Sequence, residues 1–234
     1  MENSVPIRYR RTAEQLSKEM DVLQNQLFNA KAHFDIVMGL LDSWPKYPDV
    51  FRSSLAFWNL TTQAHSGMTV LHLCRLYDQN EQAIHLPGFL MAVDNSEHLF
   101  NIESFKDRIG NTPGRDVVYL ARFPRVLDRE QLQQDVLFCS KIAPLVKKLI
   151  VWRNNIVAHS SYTHLISEQK PFHEKFPMPW NDLRTLIDTG FAIVNRYSSV
   201  FGASQYSENF LSHQKNDYLF VLDSVQSRLK GHNP

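Results

Sequence analysis

Apolar residues recur at spacings of three and four along the first part of the chain, as the buried face of a helix requires. The clearest series predicts one long helix from Thr12 to about Leu41. Thr12 is a suitable N-cap, because Gln15 three residues later completes a capping-box pattern. Pro45 and Pro48 then end the helix. The apolar series consists of Leu16, Met20, Leu23, Leu27, Ala30, Phe34, Val37 and Leu41.

The same spacing predicts a second long helix over residues 53–77. Gly67 lies inside it, where glycine costs about 1 kcal/mol relative to alanine. We therefore expect a neighbouring helix to approach closely at Gly67. The buried face is expected to contain Leu60, Ala64, Met68, Leu71, Cys74 and Leu76.

Three helical patterns follow in the second half of the chain. The first covers residues 128–159, and Pro144 is expected to kink it or split it in two. The second covers residues 180–201, with Gly202 as its stop. The third, over residues 206–229, is amphipathic and more polar.

The middle section, residues 83–128, is less regular. Short helices are predicted at 86–93 and 99–109, and a turn at 110–115. Residues 116–126 fit a helix or a strand by pattern alone. Few segments of the chain alternate with a period of two, so the sequence predicts an all-α fold in one domain over residues 1–234, with an inserted middle section.

Composition narrows the class of protein. The 234 residues are 43% hydrophobic and 21% charged, as in an ordinary globular protein. The net charge of +1 argues against a protein that coats nucleic acid non-specifically, because such binding depends on neutralising phosphates. No stretch approaches the ~20 apolar residues that span a bilayer, and the N-terminus lacks a signal peptide. We expect a cytoplasmic protein that does not bind membranes.

The sequence has two cysteines and no cluster of carboxylates, and both facts bear on whether the protein binds a metal. Cys74 and Cys139 lie in apolar helical patterns and are expected to be buried, reduced thiols without metal-ligand spacing. His65 and His72 are seven residues apart on one helix face, without a third ligand. They are ordinary helix-surface or interface residues, or they line an RNA cleft. We expect neither a metal nor a cofactor.

Residues 151–162, VWRNNIVAHSSY, place polar side chains in the apolar end of a helix. Arg153 and His159 are six positions apart and project about 120° from each other. Asn155 and His159 are four apart and share a face. An arginine and a histidine at a helix C-terminus interact favourably with its negative end, which is a purely structural explanation. That explanation suits His159 better than Arg153, because a buried arginine is costly unless it is paired.

The segment RNNIVAH, residues 153–159, resembles the signature of the HEPN superfamily (higher eukaryotes and prokaryotes nucleotide-binding). Arg153 is followed directly by the polar Asn154, and five residues separate Arg153 from His159. The surroundings resemble the abortive-infection branch, including LHLCRLYD at 71–78 and the HLPGFL that follows it. The resemblance implies an antiparallel helical bundle.

It also implies a metal-independent endoribonuclease whose two protomers share one cleft. His159 would take the proton of the RNA 2′-hydroxyl or protonate the leaving 5′-oxygen, tasks that suit its pKa range. Arg153 would hold the scissile phosphate, and Asn154 would orient the histidine or bind a phosphate oxygen. The products would carry 2′,3′-cyclic phosphates. The implied setting is phage defence or a toxin–antitoxin pair, with a partner protein that restrains the nuclease.

Neighbouring residues are candidates for substrate binding. Lys147 and Lys148 would add positive charge before Arg153, although a solvated helix face is the default interpretation of both. Asn155 is a further candidate. Asp78 is either a helix stop, the simpler interpretation, or an ion-pair partner of Arg153.

The rival hypothesis is a catalytically inactive HEPN-like helical interaction or scaffold protein. A nuclease must leave Arg153 and His159 partly exposed in a cleft. A scaffold is free to bury them or to pair them with carboxylates.

Overall fold

The computed structural model describes residues 10–110, 116–120, 122–154, 174, 177–206 and 216–231. These residues form helices and contain no strand, which confirms the all-α fold. A 3-10 turn, Glu97–Leu99, lies between two of the helices. The helices are α1 (Ala13–Ser43), α2 (Pro48–Ser53), α3 (Leu55–Leu76), α4 (Leu86–Asn95), α5 (Ile102–Ile109), α6 (Val117–Leu120), α7 (Arg129–Cys139), α8 (Pro144–Trp152), α9 (Trp180–Gly202) and α10 (Asp217–Gly231).

Helix α1 is the central element, and it begins with the predicted capping box. The Thr12 hydroxyl accepts a hydrogen bond of 3.2 Å from the backbone N–H of Gln15, whose side chain accepts one of 3.0 Å from the N–H of Thr12. The predicted apolar series is buried from Leu16 to Val37, but the prediction that Leu41 is its last buried member is wrong. Leu40 is buried and Leu41 is exposed, because the helix continues to Ser43 and turns Leu41 outward.

Helices α3 and α9 run antiparallel to α1. His33 contacts His65, and Gln26, earlier in α1, contacts His72, later in α3. On the other side, the Phe34 and Trp180 rings pack with their centroids 6.2 Å apart. The predicted antiparallel bundle is therefore confirmed.

The second helix predicted over residues 53–77 is α3, Leu55–Leu76. The short helix α2 precedes it and is separated from it by Ser54, whose dihedral angles are non-helical. The predicted buried face is wrong at Leu60 and Ala64, which are exposed. No atom of the described part of the chain lies within 4 Å of a Cβ added at Gly67, so none of the described helices makes the expected close approach there. Apolar residues occupy more than one side of α3, so their spacing does not decide which side is buried. The residues of α3 that are buried are Trp58, Thr69, Val70, His72, Leu73, Cys74 and Leu76.

The middle section contains the predicted short helices. In α4, His85 caps the first turn, where its Nδ1 accepts a hydrogen bond of 3.0 Å from the N–H of Gly88. Helix α5 begins three residues later than predicted, because the 3-10 turn precedes it. Residues 117–120 are helical, which decides between helix and strand there. The section is part of the bundle, because its side chains Leu86, Phe89, Leu90 and Phe100 belong to the main core.

The second half of the chain follows the predicted order. Pro144 splits the predicted helix 128–159 into α7 and α8. Helix α9 includes Gly202, and Ala203 rather than the glycine takes the left-handed conformation, with φ of 51°. The last helix, α10, begins at Asp217 rather than near residue 206. Residues 207–215, and most of the predicted loop 163–178, lie outside the described residues.

A second, smaller core joins α10 and α2 to the end of α1. The Trp58 indole N–H donates a hydrogen bond of 3.2 Å to the carbonyl oxygen of Val50 within it. Each helix of the described ranges is too short or too polar to cross a membrane. The smaller core consists of Leu40, Val50, Phe51, Trp58 and Leu222.

Candidate functional site

Arg153 stands directly after Trp152, the last residue of α8. Its backbone N–H donates to the carbonyl oxygens of Ile150 and Leu149, so the helical path continues through it. Arg153 and Asn154 have a π-helical backbone, in which turns are wider than in an α-helix. Such turns occur frequently at functional sites. The Arg153 side chain is 32% exposed, so solvent and ligands can reach it.

Asp78 holds the Arg153 side chain from the turn after α3. Arg153 Nη1 donates a hydrogen bond of 2.6 Å to Asp78 Oδ1, which also accepts from the backbone N–H groups of Gln79 and Asn80 at 2.7 and 3.2 Å. Burial alone would raise the pKa of Asp78. The N–H of Gln79 and the Arg153 guanidinium outweigh burial and hold this pKa below its ordinary value. Asp78 is therefore a carboxylate at neutral pH.

Asn154 fixes a second edge of the guanidinium. Its Oδ1 accepts a hydrogen bond of 3.1 Å from Arg153 Nε, while the asparagine itself is exposed. Within the described ranges, Arg153 Nη2 has no protein acceptor. A planar guanidinium with one nitrogen open is suited to bind an oxygen of a phosphate.

The two lysines predicted to bind substrate are both on the surface of α8. Lys147 is exposed, and Lys148 Nζ forms an ion pair of 2.7 Å with Asp182 of α9. Lys147 precedes Arg153 by six positions, which places the two about 120° apart on an ideal helix. The structure thus brings Arg153, Asn154 and Asp78 together and directs the lysines elsewhere. Asn155 and His159 lie outside the described residues.

Three histidines meet between α1 and α3, a cluster that the sequence does not reveal. His33 Nδ1 lies 2.7 Å from His65 Nδ1, so one ring donates a hydrogen bond to the other. The His33 and His72 rings stack with centroids 5.8 Å apart. His72 Nδ1 lies 2.7 Å from Gln26 Oε1. The seven-residue spacing of His65 and His72 predicts that they share a face of α3. His33 joins them only because α1 packs antiparallel to α3.

Burial lowers the pKa of each of these three histidines. The charge of His65 lowers the pKa of His33 further, and the charges of His33 and Arg75 lower that of His72. The rings therefore favour the neutral form. Among the described residues, no group of three histidine, cysteine or acidic side chains is placed to hold a metal ion.

Both cysteines are free and buried, as predicted. The Cys74 thiol lies 3.9 Å from the carbonyl oxygen of Leu149, behind the end of α8. Burial raises the pKa of Cys74 to about 12 and raises that of Cys139 as well. Both are therefore inert thiols that serve packing.

An antiparallel helical bundle that presents an arginine and a polar neighbour at a helix end has the architecture of a HEPN-type domain. The family model HEPN_AbiU2, described as AbiU2, matches residues 10–220. The chain therefore belongs to the AbiU2 family of the HEPN superfamily, in its abortive-infection branch of phage defence. This confirms the resemblance found in the sequence. No curated protein and no solved structure matches the chain.

Proposed function

We propose that the chain is a metal-independent endoribonuclease of abortive-infection defence. The observation that supports this most directly is the state of Arg153. Its guanidinium is oriented by Asp78 and Asn154, is partly exposed, and has no acceptor for Nη2 among the residues that the structure describes. An arginine that served only to end a helix would need neither of the two side-chain partners.

The proposed reaction is an internal transesterification of RNA. The 2′-oxygen loses its proton to a histidine and attacks the phosphorus atom, and the bond from phosphorus to the 5′-oxygen breaks. The leaving 5′-oxygen takes up a proton, so the products are a 2′,3′-cyclic phosphate and a 5′-hydroxyl. We assign the proton transfers to His159 and its counterpart in a second protomer. Arg153 stabilises the charge on the phosphoryl oxygens.

Asp78 is a positioning residue in this proposal. Its carboxylate draws one edge of the guanidinium toward the end of α3, and the Asn154 oxygen fixes the adjacent Nε. Because the Arg153 guanidinium is held at two points, it loses little rotational freedom when a phosphate binds. This preorganisation favours catalysis. Two backbone N–H groups hold the carboxylate in turn.

A second candidate function is an inactive HEPN-like interaction or scaffold protein. The same ion pair supports it, because the Asp78 carboxylate competes with a phosphate for Arg153. In that case Arg153 would stabilise the joint between α3 and α8, and a partner protein would be the ligand of the domain. A nuclease needs Arg153 and His159 for cleavage, whereas a scaffold does not. Substitution of these two residues therefore distinguishes the two functions.

The deciding experiment is RNA cleavage in EDTA by the wild type, His159→Ala and Arg153→Ala. His98→Ala is a matched control, because His98 is an exposed histidine on the 3-10 turn. The proposal expects cleavage by the wild type and His98→Ala, with 2′,3′-cyclic phosphate ends, and loss of cleavage in the other two. Equal cleavage by all four proteins would contradict it. No cleavage of several RNAs by any of them would favour the scaffold.

We further propose that the active form is a homodimer and that a second protein restrains it. Light scattering of the purified chain is expected to give twice the 27.2 kDa of one protomer. A monomer that cleaves RNA would exclude the shared cleft. A restraining partner would be recognised as a protein that binds the chain and abolishes cleavage.

A further inference from the structure

A groove with a volume of about 390 Å³ opens beside the end of α8. The middle of α3 forms its floor, and Trp152 and Trp180 approach from α8 and the start of α9. Trp180 is held by packing against Phe34. The other apolar side chains of the groove are Val70, Met178 and Leu183.

The groove is close to the candidate phosphate-binding group. Trp152, in its wall, is the residue directly before Arg153. On the floor, Val70 precedes Asp78 by eight positions, or about 12 Å along a helix. The groove and Arg153 therefore lie at the same end of α8, although Arg153 is not among the described residues that line the groove.

We propose that this groove is a nucleobase subsite, which takes the base of a nucleotide whose phosphate chain passes Arg153. The inference rests on the proposed function, because it assumes that RNA is the ligand of Arg153. It goes beyond that function by naming the place where a base binds and the side chains that contact the base.

The chemistry of the walls favours a base over a phosphate or a charged peptide. None of the described residues that line the groove carries a charge. Indole rings bind bases by stacking, which tolerates any sequence because every base has a π-face. Two cations adjoin lining residues along the chain, Arg153 after Trp152 and Arg184 after Leu183. The Arg184 guanidinium lies over the Phe34 ring, 5.3 Å from its centroid, and we place the phosphate at Arg153. An uncharged, flat group attached to an anion matches that arrangement.

Polar groups on the floor suit the edge of a base. In the described ranges, the Gln63 amide and the Thr62 hydroxyl make no hydrogen bond to protein, whereas the Ser66 hydroxyl already donates to the carbonyl oxygen of Thr62 at 2.7 Å. An amide provides a donor and an acceptor together. Stacking would thus supply affinity, and Gln63 would supply any preference between bases.

Gly67 allows the groove to be filled without disturbing the core. It lines the groove, and an added Cβ would meet no atom of the described residues within 4 Å. Ala64 lies three residues earlier on α3, is exposed, and does not line the groove. Gly67→Phe and Ala64→Phe are therefore a matched pair of variants of the full chain.

The test measures binding of labelled 2′-O-methyl hexamers of uridine and adenosine, which lack the attacking hydroxyl, and of a matching abasic oligomer. Loss of one stacked base corresponds to a loss of about tenfold in affinity or more. We expect Gly67→Phe to show that loss for both hexamers, and Ala64→Phe to bind within about twofold of the wild type. The abasic oligomer should bind the wild type weakly and be unaffected by Gly67→Phe.

Three results would overturn the subsite. One is unchanged hexamer binding by a folded Gly67→Phe, and another is abasic binding as tight as that of the hexamers. The third is a change of oligomeric state in Gly67→Phe alone, which would make the groove a protein contact. Arg153→Ala separates the two proposals. If hexamers bind through Arg153 but not through the groove, only the subsite fails. If no hexamer binds the wild type, RNA recognition fails as well.

Discussion

Arg153 Nη1 and Asp78 Oδ1 lie 2.6 Å apart and join the end of α8 to the turn after α3. Both side chains are partly exposed, at 32% and 23%. Solvent therefore weakens the attraction between them, and the pair contributes about 1 kcal/mol to stability rather than the larger energy of a buried pair. Its larger effect is expected on the orientation of the guanidinium.

Asp78→Asn tests that role while keeping the shape of the side chain. We expect the variant to fold, to lose about 1 kcal/mol of stability, and to lose at least about tenfold in the rate of RNA cleavage. Cleavage kinetics and urea unfolding measure the two effects. Asp182→Asn, which breaks the Lys148 pair instead, is the control and should cleave like the wild type. Full activity of Asp78→Asn would show that Asn154 alone positions Arg153.

The sequence predicts most of the fold because α1 and α9 each have one apolar side. At α3 the pattern fails, since Leu60 and Ala64 continue an apolar series but are exposed. The candidate site is predicted only in part. Arg153 and Asn154 are adjacent in a recognisable motif, whereas Asp78 is 75 positions away and reaches Arg153 only through the packing of α3 on α8.

The histidine cluster predicts an acid-sensitive joint between α1 and α3. Burial lowers the pKa of His33, His65 and His72, so below their ordinary value of 6.5 the unfolded chain binds more protons than the folded chain. The contribution of the cluster to the free energy of unfolding is therefore at its maximum above pH 6.5. It falls as the pH drops from 6.5 toward the lowered pKa values of the folded state.

Urea unfolding between pH 7.5 and pH 5 measures this effect. The variant His33→Gln with His65→Gln should lose less stability over that range than the wild type. His98→Gln, at an exposed position, should retain the slope of the wild type. An unchanged slope in the double variant would assign the acid sensitivity to other groups.

Gly190 sets how closely α9 approaches α1. A Cβ at this position would lie 2.6 Å from Leu27 Cδ2, and Leu27 is fully buried. Gly190→Ala gains up to about 1 kcal/mol in helix propensity, but the forced movement of a packed core costs about 1–3 kcal/mol. We expect a net loss of stability in thermal or urea unfolding.

Gly67→Ala is the matched control for that variant. Gly67 is also inside a helix, but a Cβ added there meets no atom of the described residues within 4 Å. This variant should gain up to about 1 kcal/mol. A gain in both variants would mean that Leu27 moves aside easily, and that the contact of α1 with α9 is looser than the structure indicates.

Asp135 joins α7 to α9 from a buried position. Its Oδ2 accepts a hydrogen bond of 2.7 Å from the Tyr197 hydroxyl and pairs with Arg196, and Gln131 donates to Oδ1 at 3.1 Å. Asp135→Ala would leave a buried phenol and a half-buried guanidinium without their acceptor. We expect a loss of about 2 kcal/mol or more in urea unfolding.

An exposed ion pair provides the comparison for Asp135. Asp94 pairs with Arg129, and both side chains are about half exposed. Asp94→Ala should therefore cost only about 0–1 kcal/mol. Because Asp135 acts on the packing of α7 against α9, the RNA cleavage rate of folded Asp135→Ala should stay close to that of the wild type. Equal losses of stability in the two variants would show that burial does not strengthen the Asp135 contacts, and that α7 is held by its apolar side chains alone.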